Sequence, residues 1–318
     1  MDSYAPEREE IMNTETIVCA IDHGFSTIKT PDDVFNTAIT EIDEPITKEK
    51  VLNIGEKNYR IGGKRIDVLE DKTSTESFKL LTYVAIALKM DKMALKSANV
   101  VLAVGLPIGR LGREKEAFKK YLMTPKEVRF HYSGKAYMIT IDKVFVYPQC
   151  YGAVVSLLPE MKSEEVVVDI GSWTVDTLRI INHSPEESMC GSDPNGLIPC
   201  MRKIDDECVR RFNSKIGENI IREVMITGTA DIDEGYLKVI NDEIKAYTKS
   251  IWHIIREQGV NVNTTPITFV GGGAALMRRY AGLDRKNVRF IEDIQANAKG
   301  YDMLLKAYLK SKGIGYAG

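Results

Sequence analysis

Ile17-Val-Cys-Ala-Ile-Asp22-His-Gly24-Phe25-Ser26-Thr27-Ile-Lys29 and Val166-Val-Val-Asp169-Ile-Gly171-Ser172-Trp173-Thr174-Val-Asp176 are two copies of one pattern. Each is a β-branched run that stops at Asp-x-Gly, continues through hydroxyl residues, and carries a charged residue seven positions after the Asp. Such a run reads as a buried strand closed by a tight turn. The glycine lets backbone approach a ligand closely, and successive N–H groups in the turn form a concavity that binds anions. Gly24 to Thr27 make one such nest and Gly171 to Thr174 the other. Asp-x-Gly is common in ordinary turns, so one copy alone would read as a plain hairpin. Two copies with matching offsets point to two similar domains around one ligand. A nucleotide polyphosphate with its metal would use both turns. Lys29 then lies along the phosphates and neutralises part of their charge. Asp22 and Asp169 end their strands at the same edge and suit Mg2+ held through its waters, because that ion dehydrates reluctantly.

Further along, Ile267-Thr-Phe-Val-Gly271-Gly272-Gly273-Ala274 is a strand running into a glycine turn and then a helical stretch. A flat or anionic ligand fits against such a backbone, close to a helix N-terminus. The turn is neither a Walker A sequence, since no Gly-Lys-Ser/Thr follows, nor the G-x-G-x-x-G dinucleotide pattern. Gln149 follows Pro148, where a helix is expected to open and run through about Leu158. An uncharged Gln can orient a water for in-line attack on a γ-phosphate. Position alone, however, favours an ordinary early helix residue. Of the four scattered histidines only His23 falls in a motif, as a strand-end residue contacting its neighbours rather than as a base.

The 318 residues, 44% of them hydrophobic and 28% charged, suit two soluble domains. No run of roughly 18 apolar residues is present, so no transmembrane helix is expected. A net charge of −2 gives no bulk attraction to nucleic acid. The five cysteines lack C-x-x-C spacing and read as reduced cytoplasmic thiols. Residues 1–15 are polar and acidic, and read as a flexible extension rather than a signal peptide. Short strands are expected at 36–40, 51–54 and 58–61, cut by Gly55, Gly62 and Gly63. A helix is expected over 75–96 with Thr75 as N-cap, and a strand buried on both faces over 99–107. Another helix is expected at 112–122, strands at 137–142 and 144–147, and mainly helix over 196–230 and 232–258. The chain closes with a short strand at 289–291 and an amphipathic helix at 292–311. Strands and helices in this order make an α/β protein with mixed sheets.

In sequence order, the chain has a phosphate hairpin, Gln149, a second phosphate hairpin and the Gly271–Gly273 turn. That order resembles the actin, Hsp70 and sugar-kinase superfamily. Within it the chain resembles the bacterial plasmid-segregation actins, the ParM/StbA-like group, from about residue 16 to residue 309. The group-level likeness lies in Gly62-Gly-Lys-Arg65, Asp71-Lys-Thr-Ser-Thr-Glu-Ser-Phe78, Ala103-Val-Gly-Leu-Pro107 and Ala296-Asn297-Ala-Lys-Gly300-Tyr.

The resemblance implies a two-lobed actin-like ATPase fold, with mixed sheets flanked by helices and a nucleotide cleft between the lobes. The first lobe would span 16–160, with a small subdomain at about 32–96, and be completed by a C-terminal helix within 296–318. The second would span 161–295, with a subdomain at about 190–255. ATP or GTP would bind with Mg2+ to Asp22, Gly24, Phe25, Ser26, Thr27, Lys29, Gly171, Ser172, Trp173, Thr174, Gly271, Gly272, Gly273 and Ala274. Gln149 and Asp169 would be catalytic, and Asp22 and Asp169 would stand on the metal side. Gln149 matches the residue seen in actin, where some plasmid members have Glu. Phe25 and Trp173 stand where smaller residues are common, so only their amides would serve. The base and ribose contacts would lie in 196–225. Polar filaments, a DNA-binding adaptor partner, no direct nucleic-acid or membrane binding and a cytoplasmic location follow from the same resemblance. A small-molecule kinase of the superfamily is the alternative. It would need a base over a substrate pocket, typically an Asp in an inserted region, and no such insertion is evident.

Overall fold

The computed structural model describes residues 14–67, 71–281 and 285–317. The extension expected over 1–15 lies almost wholly outside them.

The first sheet has nine strands. In chain order they are β1 (Thr16–His23), β2 (Thr27–Lys29), β3 (Val34–Asn36), β4 (Ile39–Ile42), β5 (Val51–Ile54), β6 (Lys57–Ile61), β7 (Ser97–Leu106), β8 (Glu127–Tyr132) and β9 (Lys135–Pro148). They lie side by side as β3-β2-β1-β7-β9-β8-β5-β6-β4. The second sheet contains β10 (Glu164–Ile170), β11 (Val175–Ile181), β12 (Ser184–Pro185), β13 (Gly191–Asp193), β14 (Ile267–Val270) and β15 (Val288–Ile291). Its order is β12-β11-β10-β14-β15, with β13 also on β11.

The sequence repeat extends into topology. In each sheet a motif strand pairs antiparallel with the next strand and parallel with a later one: β1 with β2 and β7, β10 with β11 and β14. Register is equal too, because Asp22 faces Lys29 in one hairpin and Asp169 faces Asp176 in the other.

Both motif strands are covered on two faces, as continuous apolar runs require. Alternation along β1 sends Ile17, Cys19 and Ile21 into a core beneath α1 (Ser77–Lys92) and α2 (Ile108–Leu122). Val18 and Ala20 meet Tyr301, Leu305 and Leu309 of α8 (Ala296–Ser311) on the other face. In β10, Val166, Val168 and Ile170 face the core of α4 (Leu197–Phe212), α5 (Glu218–Thr227), α6 (Glu234–Glu257) and α7 (Gly272–Tyr280). Val167 faces the opposite side, towards α3 (Tyr151–Val154).

Several local expectations change. The helix placed at 75–96 is α1, buried nearly all round from Phe78 to Ala87, so packing rather than capping sets its start. Thr75 does not cap it: Glu76 holds the N-cap position without a side-chain capping bond, and the Thr75 carbonyl accepts the Tyr121 hydroxyl at 2.7 Å. The strands placed at 137–142 and 144–147 are the single strand β9, whose pairing with β7 continues across a bulge at Val100/Val101. Pro148 ends that strand instead of opening a helix, and helix begins only at Tyr151. The last helix starts at Ala296 rather than 292. Among the described residues no helix is long and apolar enough to cross a membrane, and all five cysteines are free.

Candidate functional site: a cleft between two hairpins

In the first hairpin a Cβ on Gly24 would lie 2.7 Å from the Thr27 carbonyl oxygen, so the turn closes only around glycine. The next segment braces it. Thr37 donates its hydroxyl to Gly24 O (2.6 Å) and its N–H to Ser26 O (3.0 Å). At the strand end, Asp22 Oδ2 accepts Lys29 Nζ at 3.0 Å, and Asp22 Oδ1 accepts Gln149 Nε2 at 3.0 Å. Burial alone would raise the Asp22 pKa, but Lys29, Lys72 and the Gln149 amide outweigh it and hold the carboxyl below its ordinary value. Burial pushes Lys29 the other way, and Asp22 and Asp169 more than compensate. Both groups are therefore charged at neutral pH.

The second hairpin repeats the geometry with a different charge. A Cβ on Gly171 would sit 3.3 Å from the Thr174 carbonyl oxygen. The start of α4 folds onto this turn: Gly196, Leu197 and Ile198 donate their N–H groups to the carbonyls of Trp173, Gly171 and Ser172 at 3.0, 3.0 and 2.8 Å. In a trans peptide the C=O and the following N–H point in opposite directions. The amides of Ser172, Trp173 and Thr174 therefore face away from α4. Gly196 is required for the close approach, because its Cβ would lie 2.4 Å from the Trp173 carbonyl carbon.

Where the first hairpin has an Asp–Lys pair, the second sets two carboxylates opposite each other. Asp169 opens partly to the cleft, yet dense protein surrounds it. Burial, then Asp176 and Asp22, raise its pKa to about 7 against the opposing pull of Lys29 and Asn297. Asp176 is raised too, chiefly by burial. Its Oδ2 accepts the Thr174 hydroxyl at 2.8 Å, while its buried Oδ1 has no hydrogen-bond partner among the described residues.

The three consecutive glycines serve three purposes. Gly271 has φ +75°, a conformation L side chains avoid, and a Cβ there would stand 3.0 Å from Asp169 Oδ1. Gly272 opens α7, where a Cβ would rest in ordinary contact with Ile294 at 3.9 Å. Gly273 is buried against Ile170, and a Cβ on Gly273 would lie 2.2 Å from the Ile170 Cβ.

Between the hairpins lies a cavity of about 390 Å³, a size suited to a small-molecule ligand. Asp22, Ser26, Thr27, Lys29, Asp169, Gly171, Ser172 and Asn297 line its polar end. Leu197, Met201, Met225, Ile226, Leu276 and Ile294, with Arg222, line the rest, alongside Gly271 and Gly272. Of the residues expected from sequence, Gly24, Phe25, Gln149, Thr174, Gly273 and Ala274 do not line it, and Gln149 is joined to it through its hydrogen bond to Asp22. Trp173 lines a second cavity of about 680 Å³ at the cleft mouth. Phe25 packs edge-on to Phe78, and Arg202 lies over the Trp173 ring.

The motifs did not single out several residues that shape this cleft. Arg65 donates to Ser26 Oγ at 3.2 Å and pairs with Glu218 across the cleft, and Glu218 also takes Arg222 at 2.7 Å. Lys72 is buried between Phe25 and Phe78, with Nζ donating to His23 O at 2.7 Å. Burial, with Arg110 and Lys29 adding to it, lowers its pKa to about 8. His23 is a neutral structural group, as expected: burial first and Lys72 second push it down to about 3, and it bonds Thr82. Arg65, Lys72 and Asn297 do fall in the segments that carry the group-level likeness, but no spacing rule identifies them individually.

The carboxylates lining the cavity, Asp22, Asp169, Glu292 and Asp293, outnumber its cations, Lys29 and Arg222, so a polyphosphate would bring surplus negative charge. A divalent cation held beside Asp169 would relieve it. Among the described residues no group of three or more His, Cys, Asp or Glu could cage a metal by itself. The donor set thus suits Mg2+ that keeps several waters.

Residues 20–152 match the family of actin-like protein N-terminal domains. An archaeal actin homologue solved in complex with ADP superposes with a TM-score of 0.71 at 20% identity, covering 92% of this chain and 99% of its own. ParM from Bacillus thuringiensis with ATP gives 0.68 at 16%, covering 93% and 100%. A 15-stranded ParM filament from Clostridium botulinum gives 0.72 at 21%, also covering 93% and 100%.

The chain has the actin-like fold.

No curated protein sequence matches it. The actin-like architecture and the likeness to the ParM group, both expected from the doubled hairpin and the peripheral segments, are borne out. In the actin-like frame the duplicated sheets are the two halves of one fold, and the cavity between their hairpins is its cleft.

Proposed function

We propose that this actin-like chain binds ATP or GTP with Mg2+ in the 390 Å³ cleft, hydrolyses it, and assembles in a nucleotide-dependent way into polar filaments. We further propose that the filaments move or position DNA, such as a plasmid, through an adaptor protein. The observation that carries the reading is the pair of hairpins in equal register, Asp22 opposite Lys29 and Asp169 opposite Asp176, facing one cavity. The filament and nucleotide complexes among structures of the same fold support it. The two lobes are taken as 16–160 with the last helix, and 161–295.

In this reading the amides after Gly24 and Gly171 hold the β- and γ-phosphates from both sides, and Lys29 neutralises charge along them. The base lies at the apolar end near Met225 and Ile226, with Arg222 at its edge. Asp22 and Asp169 would hold the metal through water, and the ion would draw off charge as the γ-phosphoryl leaves. Asp22 also holds the Gln149 carboxamide by one oxygen. That leaves the Gln149 carbonyl oxygen to accept a hydrogen bond from the attacking water and aim its lone pair in line.

Purified protein with nucleotide and Mg2+ is expected to scatter light and sediment at micromolar concentration. Failure to pellet with either nucleotide at any salt concentration would overturn the filament reading. Gln149→Ala is expected to lower turnover on the order of 10²-fold while nucleotide affinity changes little. Equal losses in turnover and affinity would make Gln149 a structural residue.

A further inference from the structure

Asn297 lies in the first turn of α8, 7% exposed, where the two halves of the molecule meet. One side-chain amide makes three hydrogen bonds. Oδ1 accepts the N–H groups of Cys150 and Ala153, both at 3.1 Å, and Nδ2 donates to Asp169 Oδ2 at 3.0 Å.

Each of these partners matters to the site. Cys150 has φ 64° and ψ −50°, and Tyr151 N–H donates to Gln149 O at 2.7 Å. Together these make a γ-turn of the hand that L residues avoid, a strained conformation that persists only where its surroundings impose it. The preceding residue is Gln149, tied by its backbone N–H to Leu106 O at 2.9 Å and by its side chain to Asp22. The anchor that holds Cys150 in this turn therefore also sets the direction in which the Gln149 side chain leaves the backbone. On its other side, the same amide fixes one oxygen of Asp169 and leaves the second facing Gly271 and the cavity. Asp22, Gln149, the Cys150 turn, Asn297 and Asp169 form one continuous chain of contacts from the first hairpin to the second.

We propose that Asn297 is a positioning residue for hydrolysis, fixing the Gln149 carboxamide relative to Asp169 by clamping the Cys150 turn and the Asp169 carboxylate with one side chain. It acts through Gln149 rather than by touching the reacting atoms. The inference rests on the nucleotide-hydrolase reading of this cleft, and binding and turnover measured separately keep the two apart.

The test is a double-mutant cycle on the full chain, using Asn297→Ala, Gln149→Ala and the double variant. Fluorescent ATP and GTP analogues report affinity, phosphate release reports kcat and KM, and thermal melts report folding. Absence of nucleotide binding by the wild-type protein would overturn the hydrolase reading itself. If binding and turnover are present, Asn297→Ala should lower kcat about thirtyfold with affinity within about threefold. In the Gln149→Ala background the same change should cost less than about threefold, because the residue it positions is gone. Multiplicative losses, equal losses in affinity and turnover, or an unchanged kcat in Asn297→Ala would each overturn the proposal. Should Asn297→Ala fail to fold, Asn297→Asp enters the same cycle. It keeps acceptors for the Cys150 and Ala153 N–H groups, but it replaces the donor to Asp169 with an acceptor and sets a second carboxylate beside that residue. Its loss should again shrink in the Gln149→Ala background, and a multiplicative loss would again overturn the proposal.

Discussion

Asp169→Ala should abolish nucleotide hydrolysis, with turnover falling on the order of 10³-fold or more. Phosphoryl transfer leaves little covalent work to the protein, so positioning and charge compensation carry most of the rate. Among the described residues Asp169 makes no salt bridge, while the other cavity carboxylates, Asp22, Glu292 and Asp293, pair with Lys29, Arg278 and Lys299; Asp169 instead faces Asp176. Near-normal turnover in the variant would show that the second hairpin has a different role.

The same residue should cost the apo protein stability. Burial and the two neighbouring carboxylates raise the folded-state pKa of Asp169 to about 7 from an ordinary 3.8. Between those values the folded state binds the extra proton, so stability falls as pH rises through the window and the loss is complete above about 7. In chelator, Asp169→Asn should therefore melt higher than wild type at pH 8 and lose that advantage below pH 4. An isostere that melts lower at pH 8 would overturn the electrostatic account. A site that is inactive but more stable without its carboxylate is what a strained functional group predicts.

Gly300→Ala should destabilise the fold by about 3 kcal/mol and reduce hydrolysis with it. In an isolated helix the change would be favourable by roughly 1 kcal/mol. Here, however, a Cβ on Gly300 would lie 1.8 Å from the Gly152 carbonyl oxygen and 2.5 Å from its carbon. This is backbone against backbone, so no rotamer change relieves it, and α3 and α8 must move apart. The shift would carry Asn297 away from Cys150 and Asp169, and would disturb Tyr301, which fills the space beside Gly105 and Gly152. Gly109→Ala in α2 is the control. Among the described residues nothing lies within 4 Å of a Cβ placed there, so its melting midpoint should stay within a degree or two of wild type. Equal behaviour of the two variants would remove the packing argument.

Much of the fold was legible because it is local and repeated. The β-branched runs before Asp22 and Asp169 need only a period-two pattern and a turn to be recognised, and the Gly271 turn marks itself by composition. The helix ends were less legible. Thr75 looks like a cap, yet α1 starts where Phe78 and Leu81 can be buried. Pro148 looks like a helix opener, yet Leu106 holds it in the parallel ladder of β9. In both cases long-range packing overrides a local preference.

The contacts that join the two halves were not legible, although Arg65 and Asn297 stand in segments that carry the group-level likeness. Arg65 meets Glu218 across 153 positions, and Asn297 meets Asp169 across 128. No spacing rule spans such distances.

By itself, then, the sequence determined the duplicated hairpins, the offsets that place Asp22 opposite Lys29 and Asp169 opposite Asp176, and hence the α/β halves around one cleft. Those features follow from neighbours along a strand, where the pleat and a tight turn leave one register. The tertiary structure alone decided which of the motif residues face the cavity and which only support it. It also decided that Gln149 leaves a strained turn rather than a helix, and that one amide on the last helix links both hairpins. These outcomes depend on how α3 and α8 cross through Gly152 and Gly300, a packing of distant segments that no local pattern encodes.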